Sequence, residues 1–90
     1  MIDEIHDILM DGYITINQNS PLRGRLIIGQ AAGLIRHNMK DSPELQDVYV
    51  ILHSILKDLR KWPKHKEEIL EDLSREIRVI WKLRNKKQAA

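Results

Sequence analysis

Apolar residues recur along this chain at the three- and four-residue spacing of a helix face, in four successive runs. The first is Ile2, Ile5, Leu9, Tyr13 and Ile16, a single helical stripe. Gly12 weakens it by about 1 kcal/mol relative to alanine, and Asp11-Gly12 is also a stop signal. The first helix therefore runs from residue 2 to about Gly12 or on to Ile16, and Asn17-Gln18-Asn19-Ser20 reads as loop. The second run, over 21–39, sets Leu22, Leu26, Leu34, Ile35 and Met39 on one broad face. Gly29, Ala32 and Gly33 add a strip of small residues, which lets another helix approach closely at an entropic cost for each glycine. The third run, over 43–61, is Leu45, Val48, Leu52, Ile55, Leu59 and Trp62, with alternating spacings of 3 and 4. That is a coiled-coil-like seam, and Val50, Ile51 and Leu56 widen it as a bundle interior requires. The fourth, over 63–86, carries Leu70, Leu73, Ile77, Ile80 and Trp81. Glu71 and Arg75 form a favourable pair on its outer face. Asn85 onward reads as a frayed polar end, with residues 87–90 as a tail.

Three prolines fall at the joins. Pro21 follows Ser20, Pro43 follows Ser42 and Pro63 follows Trp62. Proline suits the first turn of a helix, where its missing N–H would have no partner and its φ is already helical. Ser20 and Ser42 are placed to cap their helices by accepting a backbone N–H. The short connections make sequential helices antiparallel neighbours. The expected fold is all-α, one antiparallel four-helix bundle over residues 1–90, with Leu26, Leu52, Ile55, Leu73 and Ile77 in its core.

Composition agrees and narrows the chemistry. Ninety residues make one domain, and the core must be aliphatic, since there is no Phe and only two Trp and two Tyr. There is no cysteine, so a disulfide framework and a thiolate metal site are both excluded. The start, Met1-Ile2-Asp3-Glu4, is acidic where a signal peptide is basic. The longest uncharged, mostly apolar run, Leu26 to Ile35, is far short of the ~20 residues that span a bilayer. A soluble cytoplasmic protein is expected, with peripheral membrane contact left open.

The net charge of +2 is unevenly spread. Residues 1–20 hold four acids and no Lys or Arg; residues 21–40 hold four bases and no acid; residues 61–90 hold nine bases against five acids. Complementary helices of one bundle account for this as readily as a partner does. A DNA-binding reading fits poorly. The second segment is too apolar to lie in a groove, and the fourth carries Glu67, Glu68, Glu71 and Asp72. No nucleic acid is expected.

No residue set points to catalysis or to a cofactor. His6, His37, His53 and His65 fall one per segment, whereas a metal site needs three or four converging ligands. No Gly-rich loop leads from a strand to a helix, so there is no phosphate cradle. Two basic, tryptophan-bearing clusters remain as candidate partner-binding surfaces. One is Arg60, Lys61, Trp62, Lys64 and Lys66 at the third junction. With Pro63 opening the last helix, Lys64, His65 and Lys66 occupy its first turn, where positive charge opposes the helix dipole. The other is Trp81, Lys82 and Arg84, with Lys86 and Lys87 following. The two clusters fall at opposite ends of the last helix, so they do not make one patch.

The order of elements resembles a known family. Ile5-His6-Asp7-Ile8-Leu9 precedes Tyr13-Ile14-Thr15-Ile16; Ser20-Pro21-Leu22-Arg23 opens a second helix and Pro43-Glu44-Leu45 a third; Glu67-Glu68-Ile69-Leu70-Glu71-Asp72-Leu73-Ser74 starts the last. This is similar to the immunity proteins that protect producer cells from class IIa, pediocin-like bacteriocins. The match covers roughly residues 5–80 and lies in helix order, loop lengths and apolar spacing. The resemblance implies a basic cytoplasmic four-helix bundle that is not an enzyme. It implies action at the inner membrane face, on the sugar-transporter complex captured by the bacteriocin. It also puts discrimination in the C-terminal half, where both tryptophans lie. The short polar end departs from members with a longer C-terminal segment. Two other classes stay open: a small phage- or plasmid-encoded regulator that binds a host protein, and a weak homodimer joined through the small-residue face of the second helix.

Overall fold

The computed structural model describes the backbone of residues 1–89 and side chains through Lys86. Four helices follow in order: α1 (Ile2–Asn17), α2 (Pro21–Asn38), α3 (Pro43–Asp58) and α4 (Lys66–Ala89), with a 3-10 turn, Leu59–Lys61, closing α3. No strand occurs among the described residues. α1 packs against α2 and α4, and α3 packs against the same two. The result is the expected four-helix bundle, 41 × 20 × 18 Å.

The seam of α3 is where the spacing put it. Leu45, Val48, Leu52, Ile55 and Leu59 are all buried, and Trp62 packs half-buried against them. In α4 the buried line is Ile69, Leu73, Glu76 and Ile80, with Leu70 and Ile77 half-buried beside it and Trp81 exposed. α2 differs most from expectation. Its buried face is Gly24, Ile28, Ala31, Ala32 and Ile35, whereas Leu22 and Leu26 are 78% and 72% exposed. Leu26 is therefore not a core residue. The cause is rotation of the helix: Leu22 and Leu26 lie opposite the face of Gly24, Ile28 and Ile35 that packs inward, and α1 approaches that inner face most closely at glycine. A Cβ on Gly24 would lie 2.5 Å from Ile16 Cγ1, and one on Gly12 would lie 3.1 Å from Ile28 Cγ1. The expected strip is split by this geometry. Ala32 is buried, but the Cβ positions of Gly29 and Gly33 meet nothing within 4 Å.

The joins also depart from expectation in part. α1 continues through Gly12 to Asn17 and ends in a Schellman turn. Asn19 takes the left-handed conformation (φ 65°), Ser20 N–H donates to Thr15 O and Asn19 N–H to Ile16 O. Ser20 is thereby fixed as the last residue of that turn, and its side chain makes no cap bond to α2. Ser42 does cap α3, its Oγ accepting from Leu45 N–H at 3.3 Å. Gln46 Nε2 adds bonds to the carbonyls of Met39 and Lys40 in the same loop.

Pro63 does not open the last helix. The residue before a proline is driven out of the helical region, and Trp62 has an extended ψ of 142°. The Trp62–Pro63 peptide is cis. α4 begins three residues later, and its first turn carries Glu67 and Glu68, which suits the helix dipole. The expected dipole conflict is thus absent for Lys64 and His65, which precede the helix, and remains only for Lys66, its first residue. At the other end, Asn85 to Ala89 continue α4 rather than forming a tail. The Lys87 side chain and Ala90 lie outside the described residues.

Candidate protein-docking surface

The two basic clusters are partly used inside the molecule. At the third junction Arg60, Lys61 and Lys64 are exposed. Lys66 is half-buried; its Nζ donates to Asn19 Oδ1 at 2.7 Å and to Asn17 O at 3.4 Å, and lies 5.9 Å over the Trp62 ring. It ties the start of α4 to the α1–α2 turn. At the far end Lys82 is exposed. Trp81, 44% exposed, stands between the His6 ring at 5.3 Å and the Arg84 guanidinium at 4.9 Å. Arg84 also pairs with Asp3, fastening α4 to the start of α1. The structure brings Trp62 to Lys66 and Trp81 to Arg84. About 24 Å of helix separates Lys66 from Lys82 at 1.5 Å per residue, so the clusters stay apart.

A third surface emerges between α2 and α3. Three depressions share residues and run together along it. One lies beneath Leu22, Arg25, Leu26, Gly29 and Leu56. The next joins Gly29, Gly33 and Arg36 to Tyr49, His53 and Leu56. The last joins Arg25 to Val50, His53, Lys57 and Arg60. Leu22, Leu26 and Val50, at 78%, 72% and 64%, are the most exposed large apolar side chains among the described residues. The Tyr49 and His53 rings pack at 4.5 Å. Arg25, Arg36, Lys57 and Arg60 line this groove, and no carboxylate does.

Of the basic-cluster residues singled out as partner-binding, only Arg60 lines this groove, and Gly29, Ala32 and Gly33, the strip weighed as a homodimer face, line it as well. The signal for the rest was present in two features: residues 21–40 contain bases and no acids, and Leu22, Leu26, Gly29 and Gly33 fall on one helical stripe. The same stripe also fits an inward-facing side with Leu26 in the core, which conceals the groove.

Glu76 is the one buried ionisable side chain among the described residues. Burial raises its pKa above the ordinary value, Asp72 and Asp47 raise it further, and Arg75 opposes them. Among the described residues no three His, Asp or Glu side chains converge on a metal position, and no helix is long and apolar enough to cross a membrane.

Compared with protein-family models, curated proteins and solved structures, the chain matches none.

Proposed function

We propose that this chain is a non-enzymatic protein-binding module acting as a bacteriocin immunity protein. In this reading it protects a producer cell from inside, by engaging a membrane sugar-transporter complex that a pediocin-like bacteriocin has captured. The observation that carries the binding reading is the α2–α3 face. Leu22, Leu26 and Val50 stand in water although the fold buries an aliphatic core elsewhere. A clustered apolar surface with a polar rim is characteristic of an interaction site. The assignment to bacteriocin immunity is supported by helix order, loop lengths and apolar spacing. Exposed Arg60, Lys61, Lys64 and Lys82 suit a protein working beside an anionic membrane surface.

The test is expression in a bacteriocin-sensitive strain challenged with a panel of pediocin-like bacteriocins. The expected result is survival against at least one member. Charge reversal at Lys61 and Lys64 should remove that protection while helicity and melting temperature stay nearly constant. If the wild-type protein blocks no member of the panel, the immunity reading falls, and a small regulator that binds a host protein takes its place.

A further inference from the structure

We infer that the α2–α3 groove receives an acidic amphipathic helix of a partner protein. The inference rests on the reading of the chain as a protein-binding module and adds the chemistry of its partner.

Shape comes first. The groove follows α2 from Leu22 to Arg36, a rise of about 21 Å at 1.5 Å per residue. That is the length of four helical turns. Its floor is low, because Gly29 and Gly33 present no side chain and the space above them is empty to 4 Å. A floor of glycine between aliphatic walls accepts the ridge of another helix, as in helix-in-groove recognition. A bilayer surface would rest on Leu22, Leu26 and Val50 without reaching this floor.

Charge selects the occupant. Arg25, Arg36, Lys57 and Arg60 surround the apolar strip, with His53 between them and no carboxylate among the lining residues. A complementary helix carries Leu, Ile or Met along one stripe and Asp or Glu on both flanks. Such complementarity sets specificity and association rate more than raw affinity. A symmetric homodimer through this face is disfavoured, since it would place the four cations of one copy against the same four of its partner. A contact of the acidic α1 face, Glu4, Asp7 and Asp11, with the groove of another copy joins two different surfaces and so gives rings or open chains rather than a two-fold dimer, which sedimentation of the protein alone detects.

The experiment uses the full chain and a fluorescent synthetic helix of about 18 residues, long enough to fill ~21 Å with a turn to spare. The peptide has leucines at helical spacing and glutamates on the flanks. Controls are the same peptide with lysine for glutamate, vesicles of mixed anionic and zwitterionic phospholipid, and sedimentation of the protein alone. The acidic peptide should bind, more weakly as salt rises, and the lysine peptide should not. The double variant Arg25→Glu, Arg60→Glu should weaken binding by about tenfold or more, a difference of ~1.4 kcal/mol. Gly33→Leu raises the floor from an exposed position whose Cβ would meet nothing within 4 Å, so it should also block binding while melting no lower than wild type. The inference is overturned if the acidic peptide binds no better than the basic one, or if both variants bind like wild type. It is equally overturned if vesicles bind and the peptide does not, or if the protein self-associates through this face. Peptide binding without protection of the sensitive strain would sink the immunity reading alone. Protection without peptide binding would sink this inference alone.

Discussion

The two sides of α2 use glycine in opposite ways. Toward α1, Gly24 lies where a Cβ would strike Ile16, and its bareness allows the two helices to close up. Toward α3 and solvent, a Cβ at Gly29 or Gly33 would meet nothing within 4 Å, and their bareness leaves a trough. The large residues follow the same division. Ile28 and Ile35 turn inward and are fully buried, while Leu22 and Leu26 turn outward and stand mostly in water. A glycine that enables packing and a glycine that leaves room look alike in sequence. What separates them is whether a side chain from the next helix occupies the space above.

Truncation of a leucine on each side gives the widest contrast. Leu52 is fully buried, so Leu52→Ala should cost about 2–5 kcal/mol through lost transfer energy and a residual cavity. Leu26 is largely solvated, so Leu26→Ala should change stability by less than about 0.5 kcal/mol. Urea denaturation of the two variants measures this directly. Similar losses at the two sites would mean that Leu26 is covered in solution, and the open face would not be open.

The glycines give the next contrast. Replacing glycine by alanine within a helix gains about 1 kcal/mol of intrinsic propensity. At Gly33 that gain should appear nearly whole, since the new methyl group meets nothing within 4 Å. At Gly24 the methyl group would arrive 2.5 Å from a carbon of buried Ile16, and overpacking of this kind costs about 1–3 kcal/mol. Both variants share the propensity gain, so the difference between them isolates the steric cost. Gly33→Ala should melt higher than wild type and Gly24→Ala lower. Equal shifts would remove the physical distinction between the two sides.

These contrasts also show why α3 was legible in the sequence and α2 was not. In α3 the residues that pack are the large ones, so counting aliphatic positions finds the seam from Leu45 to Leu59. In α2 the residues that pack include Gly24, Ala31 and Ala32, which hydropathy barely registers, and the largest apolar residues at its start face out. Number and order of helices, the burial of Leu52, Ile55 and Leu73 and the Ser42 cap followed from local rules, whereas Leu26 is exposed and Ile77 only half-buried. The α2–α3 groove did not, because it exists only where two helices stand side by side. α4 starts at Lys66 rather than at Pro63 for a local reason. Proline fits a turn as well as a helix start, and its effect on Trp62 ends the preceding 3-10 turn.

The two serines that precede prolines give a smaller test. Ser42 Oγ accepts from Leu45 N–H, and Ser42→Ala should lower stability by about 1 kcal/mol. Ser20 makes no such bond, so Ser20→Ala should cost only a few tenths of that, about the background for an uninvolved surface site. A full loss at Ser20 would show that its hydroxyl caps α2 in solution.

The smallest expected effect lies on the inward side, at Glu76. This carboxylate sits in the buried line of α4 among Ile69, Leu73 and Ile80. Burial raises its pKa above 4.5, helped by Asp72 and Asp47 and opposed by Arg75. A carboxyl group whose pKa is raised on folding binds its proton more tightly in the native state. Its favourable contribution is therefore fully present below the unfolded value and is lost as pH rises through the folded value. At neutral pH the native state must hold a charge that the core solvates poorly. Glu76→Gln removes the charge and keeps the shape, so the variant should be the more stable one at pH 7. The gain should shrink as pH falls through the raised native pKa and wild-type Glu76 becomes protonated in the folded state. Thermal melts of both proteins between pH 4 and 8 decide the matter. A gain that is constant across that range would locate the effect in side-chain packing rather than in the buried charge.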